Sequence, residues 1–179
     1  MRIISGTYRG KQIRPPRGFK ARPTTDFAKE GLFNILSNRY QFEGLDVLDL
    51  FSGTGSITYE FASRGAGSVV AVELNSLYAK FIRSSCMMLG MDQVTVLQKD
   101  AFRYLIQPVQ SFDIIFADPP FDHPGAADLP GLIGSSPLLN SGGMFVLEHP
   151  ENLSFGASPG FRETRNYGRV NFSFFDPAG

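Results

Sequence analysis

Residues 46–56 read DVLDLFSGTGS, and the rest of the chain is arranged around them. Val47, Leu48, Leu50 and Phe51 form a nearly continuous apolar run, the composition of a strand buried on both faces. The run breaks at Gly53 and Gly55 among small hydroxyl residues, and Ile57, Phe61 and Ala62 then recur at helical spacing. A strand therefore enters a glycine turn that feeds a helix, whose first N–H groups lack helical partners and face the strand end. With no side chain at Gly53 or Gly55, the backbone there can lie against a ligand. An ordinary strand-to-helix connection accounts for the same glycines; Asp49 is what favours a ligand site.

A carboxylate beside such a turn repels phosphate and attracts a cation or hydroxyl groups. The third glycine of the dinucleotide fingerprint G-x-G-x-x-G is also missing, since Thr58 stands three residues after Gly55. A nucleoside with an amino-acid tail fits better than a pyrophosphate cofactor. S-adenosylmethionine, with its ammonium and sulfonium charges, is such a molecule, and residues 46–56 resemble the first motif of the Rossmann-like methyltransferases.

The chain has 179 residues, enough for one sizeable core and short for two. Hydrophobic residues at 42% and charged residues at 19% are values of a globular protein, and no apolar run is long enough for a membrane span. The opening MRIISGTYRGK lacks the apolar centre of a secretory leader, so a cytoplasmic protein without membrane association is expected. Cys86, the single cysteine, lies among Met87, Met88 and Leu89 and reads as a small buried hydrophobe. His123 and His149 are far apart without metal-ligand spacing, and no metal is expected.

The formal net charge of zero hides an asymmetry. Seven of the 17 basic residues (Arg2, Arg9, Lys11, Arg14, Arg17, Lys20 and Arg22) precede the first of the 17 acidic ones, Asp26. Residues 1–25 thus carry +7 and the remainder −7. Ile3, Ile4, Tyr8, Ile13 and Phe19 interleave with these charges, a pattern of a docked hairpin more than of a solvated tail. An ordered basic arm over residues 1–25, part of the same domain as residues 26–179, is a footprint for nucleic-acid phosphates, with Arg2, Arg9, Lys11, Arg14 and Arg22 as its contacts.

Arg22-Pro-Thr-Thr-Asp26 precedes a helix: Pro23 disfavours helix at Arg22, Thr25 or Asp26 can cap, and Ala28, Leu32, Ile35 and Leu36 share one face as far as about Tyr40. Ser68 to Val72 is the second central strand. It ends in Glu73, 18 residues past Gly55, where a carboxylate can accept hydrogen bonds from both ribose hydroxyls. Leu77, Phe81, Met88 and Leu89 give the next helix its apolar positions, and Gly90 stops it. Val94 to Leu97 is the third strand, closed by Asp100, with Ala101 and Phe102 beyond; Asp100 can accept an adenine amine, cap a helix, or both. Parallel strands ending in Asp49, Glu73 and Asp100 deliver three carboxylates to the edge where ligands bind.

Asp113 to Ala117 is the fourth strand and runs into Asp118-Pro119-Pro120-Phe121. Two prolines remove two backbone donors and leave carbonyls that only accept, which suits an amine. Asp118 and the Pro119 carbonyl can take the two hydrogens of an exocyclic base amine, while Phe121 stacks on the base. Residues 123–142 are rich in Gly, Pro and Ser, with a helix expected around Ala126 to Ile133. Gly143 to Glu148 is a fifth strand, Phe161 to Asn166 and Arg169 to Phe175 a hairpin, and His149 is read as structural or at the substrate's edge.

Taken together, RIISGTYRGKQI, RPTTDFAKEGLFNIL, VLDLFSGTG, VVAVELN, KDAF and FADPPF resemble the RsmD family of bacterial 16S ribosomal RNA guanine-N2 methyltransferases, in order from residue 2 to about residue 121. The basic arm joined to RPTTD is the specific part of the match. The resemblance implies an α/β, Rossmann-like class I methyltransferase fold: a mixed seven-stranded sheet with helices on both faces and a small N-terminal β extension. It implies S-adenosylmethionine as cofactor and ribosomal RNA, within small-subunit particles, as partner. By position, Asp49, Gly53 and Gly55 line the methionine end, Glu73 the ribose, and Asp100, Ala101 and Phe102 the adenine, with Phe51 and Leu74 also against the cofactor. Asp118, Pro119, Pro120 and Phe121 hold the target base, and Thr24 and Thr25 close the cofactor pocket. The chain departs from the family at Phe27 and Lys29, where arginines are expected, which puts RNA contacts of that helix in doubt. Methylation of DNA adenine N6 or protein glutamine, and a non-enzymatic RNA-binding protein on the same fold, are the alternatives; Asp118 in place of the usual Asn, and the short chain, weigh against the first.

Overall fold

The computed structural model describes residues 1–15, 18 and 24–177. Branched and aromatic side chains fill β1 (Asp46–Leu50), β2 (Ser68–Glu73) and β4 (Phe112–Ala117), which are buried along almost their whole length as central parallel strands must be. With β3 (Val94–Gln98), β5 (Leu139–His149), β6 (Phe161–Tyr167) and β7 (Val170–Phe175) they form one seven-stranded sheet in the order β3-β2-β1-β4-β5-β7-β6. The first five strands run parallel to one another, and β7 is antiparallel to both β5 and β6. The chain moves outward from β1 to β3 and returns to β4 on the other side of β1, so the switch point of this α/β sheet lies between β1 and β4.

Among the described residues, five α-helices cover the sheet: α1 (Asp26–Ser37), α2 (Ser56–Ser63), α3 (Ser76–Leu89), α4 (Ala101–Ile106) and α5 (Leu129–Gly134). The two-residue period of the strands sorts their side chains into two cores. Val47, Val69, Ile114, Phe116 and Val146 pack under α1, α2 and α3; Leu48, Leu50, Val70, Val72, Ile115, Ala117 and Leu147 pack under α4 and α5.

Two expectations need correction. The buried face of α3 is Ala79, Ile82, Ser85 and Cys86, whereas Leu77 and Met88 are 64% and 80% exposed, so apolar identity misread the face by part of a turn. β5 begins at Leu139, earlier than Gly143, because a bulge between Phe112 and Ile114 lets Leu139 pair before the Asn-Ser-Gly-Gly segment, whose residues read as a turn.

The basic N-terminal segment is a docked hairpin, antiparallel about one bridge between Arg2 and Gln12, with Ile3 and Ile13 in the core under α1. Its anchor is Glu60 in α2, fully buried, whose carboxylate accepts the N–H groups of Ile4 (2.8 Å) and Ser5 (3.0 Å) and the Nε of Arg64 (2.9 Å). Lys29 of α1 lies 3.6 Å away, 1% exposed, and donates to the Arg2 carbonyl (2.6 Å) and Ser56 Oγ (3.3 Å). At the far end of α2 the Thr7 N–H bonds the Ser63 carbonyl, and Gly6 (φ +80°) lies so close that a Cβ would fall 1.8 Å from that oxygen.

Candidate active site

The glycine turn has the geometry its residues dictate. Gly55 is left-handed (φ +85°) at the start of α2, and a Cβ there would meet the Tyr59 ring at 2.7 Å. No side chain caps α2, so its first N–H groups stay directed at the edge between β1 and β4. Just before the turn, Phe51 adopts φ +59°, a conformation that costs an aromatic residue about 1–3 kcal/mol and that recurs at functional sites. Its ring meets Phe102 at 5.9 Å and His123 at 6.0 Å, and the last two stack 4.8 Å apart. His123 Nδ1 accepts the Gly125 N–H, which leaves the proton of a neutral ring on Nε2. The sequence offered no periodicity that would attach His123 to this wall.

At the carboxyl ends of four adjacent strands stand four acids: Glu73 (β2), Asp49 (β1), Asp118 (just past β4) and Glu148 (β5). Strand alternation puts all four on the α1 side of the sheet, continuing the rows of Val69, Val47, Phe116 and Val146. In the sequence Glu148 is only a strand end; its place in this row comes from the sheet order. Burial pushes the Asp49 carboxyl up to about 7, against hydrogen bonds from Thr58 and Ser52, with Glu73 adding like charge. Glu73 is raised by burial although Oε2 accepts the Gly53 N–H (2.8 Å) and Oε1 the Asn75 N–H (2.7 Å). These bonds tie the glycine turn to the end of β2, and each oxygen keeps acceptor capacity for one further donor. Burial also pushes Glu148 up to about 7, partly offset by Thr24, whose hydroxyl donates to Oε2 at 3.0 Å. Asp118 lies well above the usual carboxylate range, through burial first and then the nearby Glu148 and Asp49. None of the four pairs with a basic side chain among the described residues. Desolvated acids without counter-charges take up protons or cations, so this edge is built for a cationic or amine-bearing ligand.

Around this row, Asp100 caps α4, its carboxylate accepting the Arg103 N–H at 2.9 Å, and Ala101 is buried. Leu74 is 66% exposed next to Glu73. Pro119 is buried, Pro120 exposed, and Phe121 is 52% exposed with its ring open to a partner. Thr25 caps α1 by accepting the Ala28 N–H, while Thr24 is buried against Glu148.

The basic residues are spread out. Arg2 pairs with Asp26 at 3.3 Å, and Arg14, Lys11 and Arg9 are exposed along the hairpin. Arg9 sits at the tip, by the end of α2, about 12 Å of helix away from the glycine turn. Arg22 lies outside the described residues. Lys29, at a position where the family resemblance calls for arginine, is locked beneath the arm and faces no solvent; Phe27 is exposed and meets the Tyr167 ring edge-on at 5.7 Å.

A family model described as "Conserved hypothetical protein 95" matches residues 1–176. Ribosomal RNA small subunit methyltransferase D of Buchnera aphidicola is 30% identical over 154 residues, covering 86% of this chain and 78% of the relative. This chain belongs to the RsmD family. Two solved structures superimpose on nearly the whole chain: a Thermus thermophilus hypothetical protein, TTHA0928, has a TM-score of 0.86 at 28% identity (98% and 99% of the two chains). Escherichia coli yhhF has a TM-score of 0.85 at 25% identity (99% and 97%). The architecture expected from the sequence, a Rossmann-like sheet of seven strands with helices on both faces, is the family's.

Proposed function

We propose that this chain transfers a methyl group from S-adenosylmethionine to the exocyclic N2 amine of a guanine in small-subunit ribosomal RNA. The observation that carries this reading is the Asp118–Phe121 turn at the switch point beside Asp49, an acceptor-only edge with an exposed ring. The family relatives named as small-subunit ribosomal RNA methyltransferases supply the substrate class.

Asp49 and the N–H groups opening α2 hold the amino-acid end of the cofactor, with Thr24 and Thr25 closing over it. Gly53 and Gly55 let the backbone approach. Glu73 takes the ribose hydroxyls beside Leu74, and Asp100, Ala101, Phe102 and Phe51 enclose the adenine. Bound there, the cofactor supplies an electrophilic methyl on a positive sulfur. Asp118 and the Pro119 carbonyl accept the two amine hydrogens and turn the nitrogen lone pair toward that methyl, Pro120 contributes no competing donor, and Phe121 stacks on the guanine. Holding nitrogen and methyl carbon at about 3–3.5 Å is the main catalytic contribution, since direct transfer needs no covalent enzyme intermediate. Cys86 is buried, with burial pushing its thiol up to about 12, which excludes it as a nucleophile. Arg2, Arg9, Lys11, Arg14 and Arg22 hold RNA phosphates.

The test is transfer of tritiated methyl groups to ribosomal RNA, and to small subunits, from a strain lacking the gene, followed by nucleoside mass analysis. Label in N2-methylguanosine is expected. Label in another nucleoside or in protein, or none, would overturn the reading.

A further inference from the structure

Glu148 has no part in the chemistry above, yet the fold sets it against the residue that has most. The register pairs Ala117 with Leu147, so the next residues, Asp118 and Glu148, stand abreast on strands roughly 4.8 Å apart. Both lie on the α1 side of the sheet, and Glu148 is 3% exposed. Among the described residues, the charged group facing Glu148 is Asp118 from the turn after β4, which Asp49 of β1 flanks in turn; the segment before α1 offers the Thr24 hydroxyl and β7 offers Phe172. His149 is turned to the other face and bonds Ser173 at 2.7 Å. Two carboxylates so placed, Glu148 buried and Asp118 half-buried, do not both ionise readily; they share a proton and titrate as a unit, a condition that mutual repulsion reinforces here.

Methylating an amine calls for a proton acceptor. The nitrogen lone pair forms the N–C bond, the C–S bond breaks with its electrons passing to sulfur, and the nitrogen is left positive with a proton to lose. We propose that Asp118 and Glu148 are one acid pair that receives this proton: Asp118 takes it from the methylated amine, and Glu148, as a positioning residue acting through Asp118, keeps the pair at a single shared proton beforehand. The pair with its second proton then returns one to solvent. The inference rests on the reading of Asp118 as the amine's partner.

Carboxyl carbon NMR titration of the free protein tests the pairing without any substrate. Asp118 and Glu148 should titrate in coupled steps. In Glu148→Gln the Asp118 midpoint should fall by about one pH unit or more, because a like-charged neighbour is gone. Thr24→Val should move the Glu148 midpoint the opposite way, upward, by removing a bond to the charged form. Independent titration of the two acids in the ordinary carboxylate range would overturn the proposal, and if the Gln variant does not fold, an unmoved midpoint in Thr24→Val does the same. Single-turnover methyl transfer against pH should show its inflection shifted to lower pH in Glu148→Gln, with KM values within about twofold of wild type. Superimposable profiles would refute the catalytic half. If the wild type puts no label into N2-methylguanosine, the proposed function fails, while the carboxyl titration still decides whether the pair exists.

Discussion

Glu60→Ala should destabilise the protein by about 3–5 kcal/mol, the range for breaking a buried ion pair by deleting one partner. The ammonium of Lys29, 1% exposed, would keep only neutral acceptors, the Arg2 carbonyl and Ser56 Oγ. The Ile4 and Ser5 N–H groups are partly buried and can turn to water, so they add less than a full unsatisfied donor would. The sign of the pH dependence follows from Lys29, whose pKa burial lowers while Glu60 is the largest influence raising it. Without Glu60 the folded-state pKa drops further below the unfolded value near 10.4. Between those two pKa values the unfolded chain binds the extra proton, so the variant's stability rises with pH there. Urea unfolding at neutral pH and at pH of about 9 measures both effects. Glu60→Ala with Lys29→Met should recover much of the loss, because the stranded charge is gone. A loss under about 1 kcal/mol, or a double variant no more stable than the single one, would mean that the buried pair does not anchor the arm.

Glu73→Ala should weaken S-adenosylmethionine at least tenfold by calorimetry: hydrogen bonds to a charged acceptor are worth roughly 1.5–3 kcal/mol, and the Gly53 turn is released as well; unchanged affinity removes Glu73 from the site. Phe121→Ala should weaken RNA binding by about five- to two-hundred-fold with cofactor affinity unaltered, whereas Asp118→Ala should cut turnover and leave both affinities nearly intact; normal turnover in the latter sinks its role. Arg14→Gln should lower the slope of log RNA affinity against log salt by about 0.7, the worth of one phosphate contact on single-stranded RNA, and Arg9→Gln, at the far tip of the hairpin, by less; equal slopes for both variants and wild type would mean that the arm is structural only. Because Asp49 and Glu148 are raised to about 7, the ligand-free fold binds more protons than the unfolded chain between the ordinary carboxylate range and that value. Their contribution to stability is therefore present at acid pH and lost as pH rises through about 7, and thermal unfolding of Asp49→Asn should show a flatter pH profile than wild type.

The order and type of the elements were legible because each rests on local pattern. Val47 to Phe51 is too apolar for anything but a central strand, Thr25 caps the helix it precedes, Gly90 ends α3, and the hairpin turns at Gly168 as its flanking residues require. The convergence of Asp49, Glu73 and Asp100 on one edge followed too, since strands linked by helices run parallel and their carboxyl ends share an edge. The face of α3 was not legible: Leu77 and Met88 are as apolar as Ile82, and only the position of the sheet decides which is covered.

Local pattern therefore suffices for the set of strands and helices and for the chemistry at each strand end. Which ends become neighbours is another matter, because lateral strand order depends on how crossover connections pack, a property of the whole chain. That order alone puts β5 beside β4 and Glu148 against Asp118. Packing likewise joins Glu60 to residues 55 and 56 positions earlier and to Lys29, and seats His123 on Phe102. A buried charge or ring is placed by whatever can satisfy it in three dimensions, and no local periodicity records who that partner is.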